Sequence, residues 1–196
     1  MTLKIAPLTG KDLAEGLPAV ARLRIAVFRD WPYLYDGTLE YEEKYLSKLA
    51  AAQGAVVVAA CDGGTIVGCA TAAPLAEVES AFAEPLRARG MDVKSIFYCG
   101  ESVLLPAYRG RGVGHAFFEH REAHARSLGG FTHSAFCAVV RPEDHPLRPR
   151  DYVPLDGFWE KRGYRKMEGV VGRFAWKDVD QPDETEKPMQ YWIKPL

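Results

Sequence analysis

A glycine-rich, basic loop constrains the fold of this chain more than any other feature of its sequence. The loop reads Tyr-Arg-Gly-Arg-Gly-Val-Gly over residues 108–114, and it follows an apolar run that stops at Pro106. The segment from Val113 to about Ser127 contains no proline, and no glycine beyond Gly114. This order predicts a strand, then a tight loop, then a helix.

The same loop predicts a binding site for an anion. Gly110, Gly112 and Gly114 carry no Cβ atom, so a ligand can approach the main chain closely. The first N–H groups of a helix have no partner inside it, and the helix dipole favours negative charge there. Arg109 and Arg111 add positive charge beside these groups. We therefore expect a phosphate group at the loop. A tight turn without a ligand is the alternative.

Two common phosphate motifs do not fit the spacing. A Walker loop requires Gly-Lys followed by Ser or Thr, which the loop lacks. A dinucleotide fingerprint requires glycine at its first, third and sixth positions. Counted from Gly110, the sixth position is His115. Neither motif therefore identifies the ligand.

Hydrophobic periodicity and turn residues predict the other elements. The predicted helices cover residues 11–28, 41–52, 77–89, 113–128 and 155–162, and the predicted strands cover residues 3–8, 55–60, 65–73, 95–105, 132–140, 170–179 and 189–194. Regular alternation in the strand over 95–105 would place Cys99, Glu101 and Val103 on one face. A bulge near Gly100 would change that alternation.

The strand, the Arg-Gly-x-Gly-x-Gly order and the following helix resemble the acyl-CoA signature of the GCN5-related N-acetyltransferase (GNAT) superfamily. The hairpin over residues 55–73 and the run Gly-Phe-Trp-Glu-Lys-Arg-Gly-Tyr over residues 157–164 resemble two further parts of it. The resemblance implies an α/β fold in one domain over residues 1–196. Its sheet would be mixed, twisted and mostly antiparallel, with splayed central strands and helices on both faces.

The resemblance also implies an acyltransferase that moves an acetyl group from acetyl-CoA, as co-substrate, to a primary amine. The amine would attack directly in a ternary complex, and a small molecule fits this role better than a protein. The N–H groups near Val103 and Leu104 would polarise the thioester carbonyl. The residues implied to bind the coenzyme are Ser102, Val103, Leu104, Arg109, Gly110, Arg111, Gly112, Val113, Gly114, His115 and Phe158.

Glu101 is the one acid within an otherwise apolar strand. Burial of a carboxylate is costly unless it is paired, and it raises the pKa of the group toward neutrality. A carboxyl group of this kind can act as a general base, and the resemblance implies an acid on this strand that deprotonates the amine. Tyr98 and Ser102 are rival residues in the same region. A structural ion pair between Glu101 and an arginine is the alternative.

Trp159 occupies the position at which the resembled motif has a tyrosine. That tyrosine often protonates the departing CoA thiolate, and an indole cannot act as an acid in its place. Tyr152, Tyr164 or solvent are the replacements that we consider.

Two segments are candidates for binding the acceptor. Residues 29–37 are rich in aromatic residues and turn formers, and residues 141–154 contain four prolines together with several arginines. A packed corner between helices and a solvated charged loop are the corresponding alternatives. The arginines fit a carboxylate or phosphate on the acceptor. The residues expected to bind the acceptor are Trp31, Tyr33, Tyr35, Arg148 and Arg150.

The composition argues against several other classes. The net charge of −1 favours neither nucleic acid nor an anionic membrane as a partner. No apolar stretch has membrane-spanning length, and no secretory signal is recognised. The four cysteines show no CxxC spacing and lie in apolar runs, which favours reduced thiols and a cytoplasmic location. His120 and His124 are one helical turn apart but lack a third ligand, so we expect no metal.

Two further functions remain open at this point. The first is a catalytically inactive acyl-CoA-binding or regulatory module, which the tryptophan at position 159 would favour. The second is a protein-binding scaffold that uses the proline-rich and arginine-rich loop. Homodimers are frequent in the resembled superfamily, so a homodimer is one assembly that the resemblance implies.

Overall fold

A computed structural model of the chain describes residues 3–196, and it places seven strands and five helices in them. The strands are β1 (Lys4–Leu8), β2 (Val56–Asp62), β3 (Thr65–Pro74), β4 (Ile96–Leu104), β5 (His133–Val139), β6 (Arg165–Lys177) and β7 (Glu184–Pro195). The helices are α1 (Gly10–Phe28), α2 (Leu39–Ala51), α3 (Ser80–Arg87), α4 (Val113–Leu128) and α5 (Asp156–Lys161).

The strands form one mixed sheet in the order β1-β2-β3-β4-β5-β7-β6. Neighbouring strands are antiparallel except β4 and β5, which are parallel. This arrangement confirms the predicted α/β fold with a mostly antiparallel sheet. The element bounds agree closely with the predicted ones except around residues 77–89 and 165–195. The first region is a short turn (Leu75–Glu77) followed by α3, and the second contains longer strands because β6 and β7 pair along most of their length.

The two central strands separate after a short stretch of pairing. Only Ile96–Tyr98 of β4 pairs with β5, opposite His133–Ala135. Beyond that point β5 continues to pair with β7 as far as Val139, while the rest of β4 pairs with β3. A gap therefore opens between β4 and β5, and the predicted splay of the central strands is confirmed.

Helices cover both faces of the sheet. On one face, α4 packs Phe117 and Phe118 against Phe97, Cys99 and other buried residues. On the opposite face, α1 and α2 bury their apolar sides against the sheet; the core residues there are Val20, Ala21, Leu23, Leu46, Leu49, Cys69, Ala73 and Val103. The gap between β4 and β5 thus lies between two helical layers.

A β-bulge reverses the faces of β4. Ser102 lies opposite Ala70, whereas Cys99 lies opposite Ala72, so β4 contains one residue more than β3 between these pairs. Cys99 therefore packs on the α4 side, and Val103 packs on the α1–α2 side. Of the two possibilities left open for this strand, regular alternation is not found and the bulge near Gly100 is confirmed. At the bulge, a Cβ on Gly100 would lie 2.7 Å from Thr71 Oγ1, which explains why a glycine occupies this position.

Candidate active site

A large cleft opens where β4 and β5 separate. Its volume is about 1510 Å³, which exceeds the roughly 300–1,000 Å³ typical of a pocket for one small molecule. The first turn of α4, the ends of β4 and β5, the 27–34 segment and the 138–159 segment all contribute to its walls. The cleft therefore has room for two ligands side by side.

The glycine-rich loop forms one end of this cleft. Gly110 and Gly112 adopt left-handed backbone conformations with φ of 75° and 80°. A Cβ at either position would meet no atom within 4 Å, so the surface beside the loop is open. Gly112 is the N-cap of α4 and no side chain caps the helix there. The N–H groups of the first turn thus have no acceptor inside the helix, which is the geometry that an anion site requires.

The segment over residues 157–164 packs directly on the first turn of α4. A Cβ on Gly114 would lie 3.3 Å from Phe158 Cζ, so glycine permits the close packing of α5 on α4. The imidazole of His115 lies edge-on to the Phe158 ring, with the ring centroids 4.9 Å apart. Both residues line the cleft, together with Arg109, Gly110, Gly112 and Val113. The structure thus brings most of the predicted coenzyme-binding residues to one place.

The main chain of β4 offers free groups to the gap. The N–H of Leu105 donates to the Val67 carbonyl at 3.0 Å, and Cys69 lies opposite Val103. Because antiparallel pairs alternate along a ladder, the main-chain groups of Val103 face β3. Those of Ser102 and Leu104 then face the opposite side, where β5 no longer pairs with β4.

Because side chains also alternate along β4, the three coenzyme-binding residues predicted there do not all face the cleft. Ser102 and Leu104 line the cleft, whereas the Val103 side chain is fully buried against the α1–α2 layer. The structure therefore does not bring the Val103 side chain together with the other predicted coenzyme-binding residues. The Leu104 carbonyl accepts a hydrogen bond from Arg109 Nε at 3.3 Å, which fixes the Arg109 side chain beside the gap. Arg111 is exposed and lies over the Tyr108 ring at 5.3 Å, outside the cleft lining.

Glu101 lines the cleft and belongs to a buried network of charges. Arg24 of α1 forms ion pairs with Glu101 and with Glu42 of α2. The Tyr45 hydroxyl donates to Glu101 Oε2 at 3.2 Å. Burial alone would lower the pKa of Arg24, but Glu101, Tyr45 and Glu42 raise it well above its usual value. Burial and the charge of Glu101 raise the pKa of Tyr45, so its hydroxyl remains a donor.

This network contains the ion pair that was the alternative interpretation of Glu101. It joins two carboxylates to one guanidinium and therefore carries a net negative charge when both acids are ionised. Arg24 and Glu42 were not identified from the sequence. One signal was available: Arg24 lies four residues after Val20, within the apolar stripe of α1, where a buried charge requires a partner.

The two tyrosines considered as acids lie in different environments. Tyr152 lines the cleft and lies edge-on to Trp31 at 5.8 Å. Burial, and then the charge of Asp156, raise its pKa above the usual value, so the hydroxyl stays protonated. Tyr164 is 1% exposed and lies in the core between α4 and the sheet. Its hydroxyl lies 2.7 Å from Ser134 Oγ and donates to Glu122 Oε1 at 3.3 Å.

Core packing places the Tyr164 hydroxyl outside the cleft lining, so the structure does not bring Tyr164 to the place where the acid considered from the sequence would act. Burial is also the main reason that the pKa of Tyr164 lies far above its ordinary value. Trp159, by contrast, lines the cleft and packs against Phe136 and Trp192 with centroid distances of 5.0 and 5.2 Å.

The predicted acceptor residues are only partly brought together. Trp31, Tyr33 and Arg148 line the cleft on the side away from the glycine-rich loop. Tyr35 does not, because its backbone forms a β-bridge with Asp178. Arg150 is exposed on the loop and also lies outside the cleft lining. The structure thus does not bring Tyr35 and Arg150 together with the other residues predicted to bind the acceptor.

Arg141, at the start of the proline-rich loop, joins the two candidate acceptor segments. Its Nη1 and Nη2 atoms donate to the two Asp178 carboxylate oxygens at 2.6 and 3.0 Å. Its Nε donates to the Pro32 carbonyl at 2.8 Å. Burial acts to raise the pKa of Asp178, but the hydrogen bonds and charges of Arg141 and Lys187 outweigh it and lower the pKa below its usual value. The 29–37 and 141–154 segments are therefore fastened to each other.

Among residues 3–196, no group of three or more His, Cys, Asp or Glu side chains is arranged to hold a metal ion. His124 Nε2 lies 3.1 Å from the Gly54 carbonyl oxygen, a contact typical of a structural histidine. In the same part of the chain, no helix combines the length and apolar character needed to cross a membrane.

Solved structures with the same fold include acetyltransferases from several organisms. The ribosomal-protein-alanine N-acetyltransferase from Brucella melitensis shares 14% identity, with all of both chains covered and a TM-score of 0.62. A GNAT-family acetyltransferase from Streptococcus pneumoniae shares 15% identity, with 100% of this chain and 99% of that chain covered and a TM-score of 0.59. The PaiA N-acetyltransferase from Thermoplasma acidophilum, solved with coenzyme A, shares 12% identity over all of both chains, with a TM-score of 0.57.

No curated protein sequence matches the chain. A family model described as the acetyltransferase (GNAT) family matches residues 20–149, which include the C-terminal half of α1, the central hairpin, the glycine-rich loop and β5. This match covers more than half of the chain and spans the residues that form the gap and the anion site. The chain therefore belongs to the acetyltransferase (GNAT) family.

Proposed function

We propose that the protein is an N-acetyltransferase that transfers the acetyl group of acetyl-CoA to a primary amine of a small molecule. One observation carries this proposal: the β4–β5 ladder ends at Tyr98 and Ala135, beside the uncapped start of α4. A bound acetyl-CoA supplies the acetyl group as a reactive thioester. The open glycine surface and the free N–H groups fit its diphosphate, and the gap fits its narrow pantetheine arm.

The coenzyme-binding surface has two parts. The N–H groups and side chains from Arg109 to Gly114 would hold the diphosphate, while Phe158 and His115 pack beside it. The main-chain groups of Ser102 and Leu104 would pair with the pantetheine amides in the manner of an added strand. Ser102 N–H would also polarise the thioester carbonyl. Orientation of both reactants in one cleft would supply much of the rate.

Glu101 would take the proton of the attacking amine, directly or through water. Its carboxylate shares Arg24 with Glu42, so protonation of Glu101 leaves Arg24 paired with Glu42 instead of exposing an unpaired buried cation. The net negative charge of the network also attracts an ammonium group toward the cleft. The ion pair and the base role are thus compatible in this arrangement.

Tyr152 is the residue that we propose as proton donor to the departing thiolate, with water in the open cleft as the other source. Its position in the cleft wall and its raised pKa keep a protonated phenol available there. Trp159, at the position of the family tyrosine, would shape the gap without acting as an acid.

The opposite wall of the cleft suggests the class of acceptor. Trp31 and Tyr33 supply aromatic surface, and Arg148 supplies a positive charge over the Tyr152 ring at 5.8 Å. An amine with an apolar or aromatic body and a carboxylate or phosphate group matches this wall. The buried and free thiols of Cys69, Cys99 and Cys137 agree with a cytoplasmic location, which is part of the proposal.

The proposal is tested by binding and by turnover. Isothermal titration calorimetry should detect acetyl-CoA binding, and a panel of primary amines with detection of the free thiol should reveal acetyl transfer. Aromatic amines that carry a carboxylate should be turned over faster than the same amines without it. Absence of binding to any CoA ester would refute the proposal.

A second candidate is an acyl-CoA-binding module without transferase activity. The position of Trp159 in the cleft favours it, because the usual proton donor is replaced there. This candidate predicts tight acetyl-CoA binding without hydrolysis or transfer in the same amine panel. Thiol release that depends on an added amine would exclude it.

A further inference from the structure

Arg121 is a buried cation in the sheet-facing side of α4. Its side chain is 1% exposed, and its guanidinium lies over the Phe118 ring at 4.5 Å. Among residues 3–196 it forms no ion pair with a carboxylate, and its Nε and Nη2 atoms have no hydrogen-bond partner. A buried cation without a counter-ion is costly, so its retention calls for a functional explanation.

The Nη1 atom of Arg121 forms hydrogen bonds at the bulge of β4. Nη1 donates to the Glu101 carbonyl at 3.0 Å and to the Thr71 carbonyl at 3.3 Å. Thr71 lies on β3 opposite the extra residue, where the ladder is interrupted. Arg121 therefore supplies the donor that the bulge removes from the β3–β4 ladder, and it fixes the Glu101 carbonyl toward β3 and α4.

The orientation of one carbonyl determines the orientation of the next N–H. In a trans peptide the C=O and N–H groups point in opposite directions, so a Glu101 carbonyl held on the β3 side directs the Ser102 N–H toward the gap. The alternation of the ladder leads independently to the same direction for Ser102. A charge-assisted hydrogen bond at the carbonyl also polarises the peptide and makes its N–H a stronger donor.

We propose that Arg121 is a positioning residue that orients and polarises the Glu101–Ser102 peptide, so that the Ser102 N–H stabilises negative charge developing on the thioester carbonyl. The inference rests on the proposed acetyl transfer, and it adds a cation that acts through the main chain without touching either reactant. It explains why an arginine interrupts the apolar stripe of α4 at this position.

Arg121→Met tests the proposal, because methionine fills much of the same volume without the charge. Arg126→Met is the matched control, since Arg126 lies on the same helix, is exposed and makes only a 3.5 Å contact with Glu122. We expect Arg121→Met to lower kcat by about 10- to 100-fold, less than the loss of an entire oxyanion donor. The Kd for acetyl-CoA should change by less than about threefold, and Tm should hold or rise because an unpaired buried charge is removed.

A readout that needs no coenzyme separates this proposal from the proposed function. In the free, nitrogen-15-labelled protein, the amide resonance of Ser102 should shift in Arg121→Met, and this shift should be larger than that of the Leu104 amide. The Ser102 resonance should not shift in Arg126→Met. Arg121→Lys, which can still reach one carbonyl, should restore part of kcat and of the Ser102 shift. This variant also serves if Arg121→Met fails to fold.

Two outcomes would overturn the proposal. One is an unchanged kcat and an unchanged Ser102 resonance in Arg121→Met. The other is a loss of kcat that is matched by a lower Tm and weaker acetyl-CoA binding, which would identify Arg121 as a structural residue. If the wild-type protein binds no CoA ester, the proposed function fails, while the resonance of Ser102 still reports on the link to Arg121.

Discussion

Arg24 forms an ion pair with Glu101 directly beneath the gap between β4 and β5. The pair joins α1 to the central strand, and the second carboxylate, Glu42, brings α2 into the same network. Three elements that are distant in sequence are therefore held together by one guanidinium. Because the network lies at the edge of the cleft, its charge matters both for stability and for the proposed chemistry.

Replacing Glu101 by glutamine should separate catalysis from coenzyme binding. We expect Glu101→Gln to lower kcat by about 100-fold or more, because a positioned base contributes roughly 10²- to 10⁴-fold to a rate. The Kd for acetyl-CoA should remain within about threefold, since the Glu101 carboxylate is engaged by Arg24 and Tyr45 and is not one of the groups proposed to hold the coenzyme. Steady-state kinetics and calorimetry provide both numbers, and Glu119→Gln on the exposed side of α4 is the control. Full activity in Glu101→Gln would assign the base role to another group.

Removing Arg24 should destabilise the fold strongly. In Arg24→Met, two buried carboxylates lose their counter-ion, which typically costs about 3–5 kcal/mol. Urea unfolding of the variant and of the wild type at pH 8 measures this loss. A variant as stable as the wild type at pH 8 would contradict the role of Arg24.

Two glycines with similar backbone strain should behave differently toward the coenzyme. Gly112 and Gly63 both have positive φ, and a Cβ at either would meet no atom in the free protein. Alanine at either position should cost about 1–2 kcal/mol of stability from the left-handed conformation. Only Gly112→Ala should also raise the Kd for acetyl-CoA, by about tenfold or more, because its methyl group enters the space for the diphosphate. Equal Kd values for the two variants would place the diphosphate elsewhere.

The two loop arginines should contribute unequally. Arg109 lines the cleft and is held by the Leu104 carbonyl, whereas Arg111 lies over Tyr108 away from it. Both Arg109→Glu and Arg111→Glu should weaken acetyl-CoA binding, and we expect the larger loss for Arg109→Glu. The difference should shrink at high ionic strength, because exposed charges are screened by salt. Calorimetry at two salt concentrations checks this order, and a larger loss for Arg111→Glu would reverse our assignment.

Phenylalanine variants should distinguish the proposed proton donor Tyr152 from the buried Tyr164. Tyr152→Phe should lower kcat with little change in stability, because its hydroxyl belongs to the cleft wall. Tyr164→Phe should keep kcat but lose about 1 kcal/mol of stability, the usual net value of a buried hydrogen bond such as the one to Ser134. Denaturant unfolding and initial rates measure the two effects. An unchanged kcat in Tyr152→Phe would leave water as the proton donor.

The sequence was sufficient to predict the features that depend on local chemistry. The loop over residues 108–114, the following helix and the hairpin turn at Gly63 and Gly64 have local signals in glycine, proline and apolar periodicity, and the structure contains them. The splay of β4 and β5 followed from the resemblance rather than from any single residue.

Features that depend on long-range contacts could not be predicted in the same way. The pairing of Arg24 with both Glu42 and Glu101 requires knowledge of how α1 and α2 pack on the sheet. The bulge at Gly100 was considered, but its consequence, that Val103 turns away from the gap, needed the register with β3. The burial of Tyr164 in the core could not be predicted, because sequence spacing does not reveal on which side of α5 the following strand begins.

The link made by Arg141 has a consequence for redesign of this enzyme class. The Arg141 guanidinium donates hydrogen bonds to both Asp178 and the Pro32 carbonyl. The 29–37 and 141–154 segments, which flank the proposed acceptor wall, are therefore linked directly to each other. Grafting a new loop in place of residues 141–154 alone would leave Asp178 paired with Lys187 but not with Arg141, and it would remove the hydrogen bond to the Pro32 carbonyl. Donor loops for altered amine preference would therefore have to be transplanted as matched pairs.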